Sequence, residues 1–116
     1  MEHAARGARA AGGLTIGVLP GDDTDDANAY IDIAIATGMG HARNAILART
    51  ADGVVALGGG LGTLSEIALA LRNRRPTVGI QTWRFDRGGR TEPQLPVAAN
   101  PTEALDWLFA HMESQS

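Results

Sequence analysis

Val54-Val55-Ala56-Leu57 runs directly into Gly58-Gly59-Gly60-Leu61-Gly62-Thr63-Leu64-Ser65-Glu66, and the reading of this stretch decides the fold. An apolar run, a glycine-rich turn and the helical pattern Leu64, Ile67, Ala68, Leu71 follow one another. That order predicts a strand, a tight turn and a helix N-terminus. Glycines let a backbone approach a phosphate closely, and the free N–H groups of a first helical turn point at it. The helix dipole places partial positive charge at the same end. A phosphate ester or nucleotide is the ligand class this corner fits.

Outward from the turn, helical and strand patterns alternate along the chain, as in an α/β domain with a mostly parallel sheet. Helices are expected at residues 2–11, 41–50 and 63–74, the last stopped by Pro76. Strands are expected at 14–19, 31–36, 53–57 and 77–81, with a last short one at 97–99. Asn100 as N-cap, Pro101 and Glu103 open a final helix with Leu105, Leu108, Phe109 and Met112 as its apolar stripe. Its 116 residues give one domain, 1–116, with one core.

Composition removes several function classes. All ten Lys+Arg residues are arginine, so a Walker-type phosphate loop and a pyridoxal-phosphate Schiff base have no lysine to use. No cysteine is present, which excludes disulfides, thiolate nucleophiles and thiolate metal sites. A net charge of -3 argues against nucleic acid as a partner. No apolar run approaches the ~20 residues that span a bilayer, and the N-terminus lacks a signal-peptide core, so no membrane association and a cytoplasmic location are expected.

Within the turn, a dinucleotide fingerprint fits poorly: Thr63 replaces the third glycine, and the next strand ends at Gln81 instead of an acid. Thr63-x-x-Glu66 has two open readings. It is the spacing of a capping box, and equally of a carboxylate that meets a ribose or a glycosidic bond beside a phosphate. In Gly40-His41-Ala42-Arg43-Asn44, Arg43 is either a solvated helix arginine or a group that approaches Glu66 or the ligand phosphate. His41 reads as a loop or capping histidine, since no second ligand sits at metal spacing. The acidic run Asp22, Asp23, Asp25, Asp26 lacks the EF-hand glycine and terminal glutamate and reads as a solvated loop. No metal site is expected. Trp83, Arg84 and Arg87 lie just beyond a strand end, where they could line the ligand pocket, and packing is the expected job of Trp83.

Residues 59–66 resemble the Pro-Gly-Gly-x-Gly-Thr-x-x-Glu signature of the LOG family, which includes cytokinin-activating phosphoribohydrolases and proteins mislabelled lysine decarboxylases. His41-Ala42-Arg43 is similar to its His-x-Arg-Lys element. Gly17-Val18-Leu19-Pro20-Gly21-Asp22, Gly40 to Asn44 and the triple glycine look more like the molybdenum-cofactor carrier branch. The resemblance implies a Rossmann-like three-layer α/β sandwich, a homo-oligomer (dimer or tetramer), and a small phosphorylated ligand held by Gly58, Gly59, Gly60, Gly62, Thr63, His41 and Arg43. It implies no resident cofactor, with the molybdenum cofactor as cargo. If the chain is a hydrolase, Arg43 and Glu66 are its catalytic pair. Gly58 and Asn44 stand where the hydrolases carry proline and lysine, which favours binding over hydrolysis. Family members also place a strand, a glycine-rich loop, a helix and a strand ahead of the Met1-Glu2 position. The fold is therefore expected to be N-terminally truncated, with apolar strand edges exposed.

Overall fold

The computed structural model describes residues 1–113. Its chain divides into two compact units, Met1–Arg43 and Asn44–Ser116.

In the first unit, α1 (Glu2–Ala10) precedes two parallel strands, β1 (Ile16–Leu19) and β2 (Ile33–Ala36). Ile16 lies beside Ile33 and Val18 beside Ile35, so one face of the pair is uniformly β-branched. A polar knot sets this register. The Thr15 N–H donates to Asp32 Oδ2 (2.9 Å), the Thr15 hydroxyl to the Tyr30 carbonyl (2.6 Å), and the Asp32 N–H returns to Thr15 Oγ1 (2.8 Å). The acidic run forms a short 3-10 turn, Thr24–Asp26, with Asp23 as its cap. Its four aspartates are exposed, as a solvated loop requires.

In the second unit, α2 (Asn44–Thr50), β3 (Val54–Leu57), α3 (Leu61–Arg72), β4 (Thr77–Ile80) and α4 (Pro101–Glu113) follow in order. β3 and β4 pair in parallel around the α3 crossover, the βαβ arrangement that short strands and an intervening helix produce. The predicted strand at 97–99 is reduced to one parallel bridge, Gly79 to Val97, held by Gly79 N–H to Pro96 O (2.9 Å) and Ala98 N–H to Gly79 O (2.8 Å). Val78, Ala98, Ala104 and Leu108 form the core, with Val55, Ile80, Trp107 and Met112 packed on it.

Parallel strands alternating with helices make this a Rossmann-like α/β fold, as expected from the sequence. One helix face differs from the expected one. On α4 the buried side chains are Ala104 and Leu108, with Trp107 beside them, while Leu105 and Phe109 face solvent. On α2 they are Asn44 and Ala48. On α4 side-chain size misled: the small Ala104 lies in the contact, and the bulkier Leu105 and Phe109 lie outside it.

Candidate functional site

The glycine turn forms where expected. β3 ends at Leu57, Gly58 takes φ +82°, and Gly60 is the N-cap of α3 in an extended conformation. Only glycine adopts the Gly58 conformation freely. Gly59 and Gly60 have no such need, and at all three positions a Cβ would meet no atom within 4 Å. The turn is therefore open to its surroundings and bare of side chains. Among the described residues no side chain caps α3, and the first helical hydrogen bond is Leu64 N–H to Gly60 O (3.1 Å). The N–H groups of Leu61, Gly62 and Thr63 precede it and have no helical acceptor. They form a donor cluster at the positive end of the α3 dipole.

This geometry closes one of the open readings of Glu66. A capping box needs Thr63 at the N-cap, but Thr63 is the third residue of the helix and Glu66 the sixth. The helix starts two residues earlier than the sequence pattern predicts, because the glycine run itself supplies the N-cap. The Thr63 hydroxyl points back to the Leu57 carbonyl (3.5 Å). Glu66 is half-buried and forms no hydrogen bond or ion pair among the described residues.

Arg43 closes a 3-10 turn, Gly40–Arg43, where an α-helix was expected to begin. It is half-buried rather than solvated. Its Nη1 donates to the Val18 carbonyl of β1 (2.9 Å), and its Nε–H is buried with no partner among the described residues. His41 is exposed in the same turn. Arg43 and His41 belong to the first unit, the glycine turn and Glu66 to the second. Among the described residues no group of three or more His, Asp or Glu side chains is placed to hold a metal ion.

Three residues outside the predicted ligand-binding set reach the turn. The Thr82 hydroxyl donates to the Gly58 carbonyl. The Trp83 indole N–H donates to the Gly60 carbonyl (3.1 Å), so Trp83 does more than pack. The signal was available: β3 and β4 are parallel neighbours, so the loops leaving their C-terminal ends meet. Asn44, 1% exposed, brings its Nδ2 to 3.5 Å from Gly62 O, and its Oδ1 is buried without a partner among the described residues. A separate concavity of about 250 Å³, walled by Arg74, Arg75, Pro76, Trp107 and His111, lies at the opposite end of β4 and contains none of the motif residues.

The chain is similar to known proteins over nearly its whole length. The SLOG cluster4 family matches residues 1–105. An uncharacterized protein of Archaeoglobus fulgidus is 44% identical over 110 residues, 95% of this chain and 68% of that protein. Among solved structures, the molybdenum cofactor binding protein of the phototrophic bacterium Rippkaea orientalis superposes with a TM-score of 0.83 at 40% identity, covering 97% of this chain and 71% of that one. The molybdenum cofactor carrier protein of Chlamydomonas reinhardtii follows with a TM-score of 0.77 at 36% identity, covering 98% and 71%.

Proposed function

The chain belongs to the SLOG cluster4 family, and from that premise we propose that it acts by binding a phosphorylated nucleotide or pterin nucleotide at the glycine turn. The molybdenum cofactor, bound by its structural neighbours, is the leading cargo. The observation that carries this reading is the pair Gly59 and Gly60. Neither the backbone conformation nor any neighbouring atom requires glycine there, although glycine adds to the entropy lost on folding. Close approach of a ligand to the backbone supplies the missing reason. The three unsatisfied N–H groups of α3 supply the complementary chemistry for a phosphate.

Calorimetric titration of the purified protein with GMP, AMP and isolated molybdenum cofactor tests this. Saturable binding is expected to at least one of them. Gly60→Asp, which sets a carboxylate where the phosphate would lie, is expected to abolish it. Because that side chain enters open space, stability should change by no more than about 0.5 kcal/mol. Absence of binding to all three ligands would remove the proposal.

Glu66 favours a second reading, hydrolysis of the N-glycosidic bond of nucleoside 5'-monophosphates. A half-buried carboxylate with no partner, one turn beyond the phosphate donors, has the chemistry to stabilise an oxocarbenium-like ribose centre. The family resemblance assigns the arginine of this reading to Arg43. Free adenine released from AMP and lost in Glu66→Gln supports hydrolysis. AMP bound but returned unchanged supports binding alone.

A further inference from the structure

We propose that Thr82 and Trp83 are positioning residues of the glycine turn, which fix its peptide planes so that the Gly59 and Leu61 N–H groups face the ligand. This rests on the turn being the ligand site. In a trans peptide, the C=O of one residue and the N–H of the next point in opposite directions. The Thr82 hydroxyl holds the Gly58 carbonyl, and the Trp83 indole holds the Gly60 carbonyl at 3.1 Å. Each bond therefore turns one donor, that of Gly59 or of Leu61, away from the β4 loop and outward. Free glycine backbones sample many orientations, so a turn of three glycines needs such external restraint to present its donors in one arrangement.

The chain around these two residues is shaped for this purpose. β4 ends at Ile80, and Gln81 then takes φ +47°, a left-handed conformation that non-glycine residues avoid. That reversal brings Thr82 and Trp83 back over the turn. Gly79 makes room for it, because a Cβ there would collide with Thr82 Cγ2. A strained residue, a glycine inside a strand and two side-chain hydrogen bonds all serve one placement. Backbone strain of this kind is stored where function needs a fixed geometry.

Asn44 independently marks the same place as ligand-facing. Its amide reaches the first turn of α3 at Gly62, and its buried Oδ1 has no donor among the described residues. Buried polar atoms are almost always paired, so this acceptor is open to a donor that the described residues do not supply.

The test compares wild type with Thr82→Val, Thr82→Ser and Trp83→Phe in the full chain. The probes are GMP in calorimetry and inorganic phosphate in an ¹⁵N amide titration. Thr82→Val and Trp83→Phe are each expected to weaken GMP affinity about five- to tenfold, the loss of one hydrogen bond's worth of positioning. Thr82→Ser, which keeps the hydroxyl, is expected to bind as wild type. The phosphate-induced shifts of the Gly59 and Leu61 amides should shrink in the weakened variants, a response that loss of stability alone does not produce. Wild-type binding with unchanged affinities and unchanged amide shifts in both variants overturns the positioning role and leaves the ligand site standing. No wild-type binding overturns both. If Thr82→Val does not fold, Trp83→Phe decides between the same outcomes.

Discussion

Two single residues carry energetic consequences that measurement can reach. Asp32 accepts the Thr15 N–H and lies 3.0 Å from the Thr15 hydroxyl, with Arg9 Nε at 3.4 Å. The Thr15 backbone bond first, then the Thr15 hydroxyl, hold its carboxyl below the usual value against the opposing effect of burial, and the Arg9 charge adds a smaller downward pull. A group with a depressed folded pKa contributes stability that is fully present above its unfolded value, about 4, and is lost as pH falls through the folded value. In urea unfolding from pH 6 to 2, wild type should therefore exceed Asp32→Asn in stability at pH 6, and the gap should close at the acid end. A gap independent of pH would show that the carboxylate charge plays no part. Arg74 is the second case. Arg75 N–H to Ala70 O and Arg74 N–H to Leu71 O, both 3.0 Å, close α3 in a Schellman motif. Arg74 occupies its left-handed position at φ +57°, where glycine is normally found. Arg74→Gly should raise unfolding free energy by about 1 kcal/mol, the left-handed penalty of a side chain.

At the scale of elements, the helices and strands were legible because periodicity reports burial, and their ends were less so because caps depend on conformation. Asn100 illustrates a readable end: its Oδ1 accepts the Glu103 N–H at 2.8 Å, as its position before Pro101 implies. Thr63 illustrates an unreadable one. A threonine followed three residues later by glutamate satisfies the sequence rule for a cap, yet the extended Gly60 starts the helix first. The glycine turn itself was plain in the sequence, whereas Thr82 was not, because its role depends on the parallel pairing of β3 with β4. The contact of β3 with α4 was equally hidden. Gly53, just before β3, lies where a Cβ would come within 2.8 Å of Leu108 Cδ1 and 2.9 Å of Leu108 Cγ. Leu108 is only 6% exposed and has nowhere to retreat. Gly53→Ala should therefore destabilise by about 1–3 kcal/mol through overpacking. A neutral result in denaturant unfolding would show that α4 can slide along the strand.

Across the whole molecule, the two units differ in what holds them. The second unit buries Ala48, Ala56, Ile67, Ala70, Val78, Ala98, Ala104 and Leu108, whereas in the first Ala5 is the buried apolar residue among those described. Opening energies scale with such burial, so hydrogen exchange should be slow at β3 and β4 and fast at β1 and β2 in dilute protein. The first unit also presents Ile16, Ile33 and Ile35, each 45–54% exposed, on one face of its strand pair. Parallel sheets are ordinarily covered on both faces, and contiguous apolar surface promotes association. Protection of β1 and β2 is therefore expected to rise with protein concentration as copies cover this face, with the mass by light scattering rising in step. Ile35→Lys, placing a charge at its centre, should abolish both rises and leave exchange at β3 and β4 unchanged. If β1 and β2 exchange equally fast at every concentration while the mass still rises, association uses another surface. If neither quantity changes, the isoleucine face remains open in solution and the first unit is held by its Thr15–Asp32 knot, which the acid titration of Asp32→Asn would then expose as its main support.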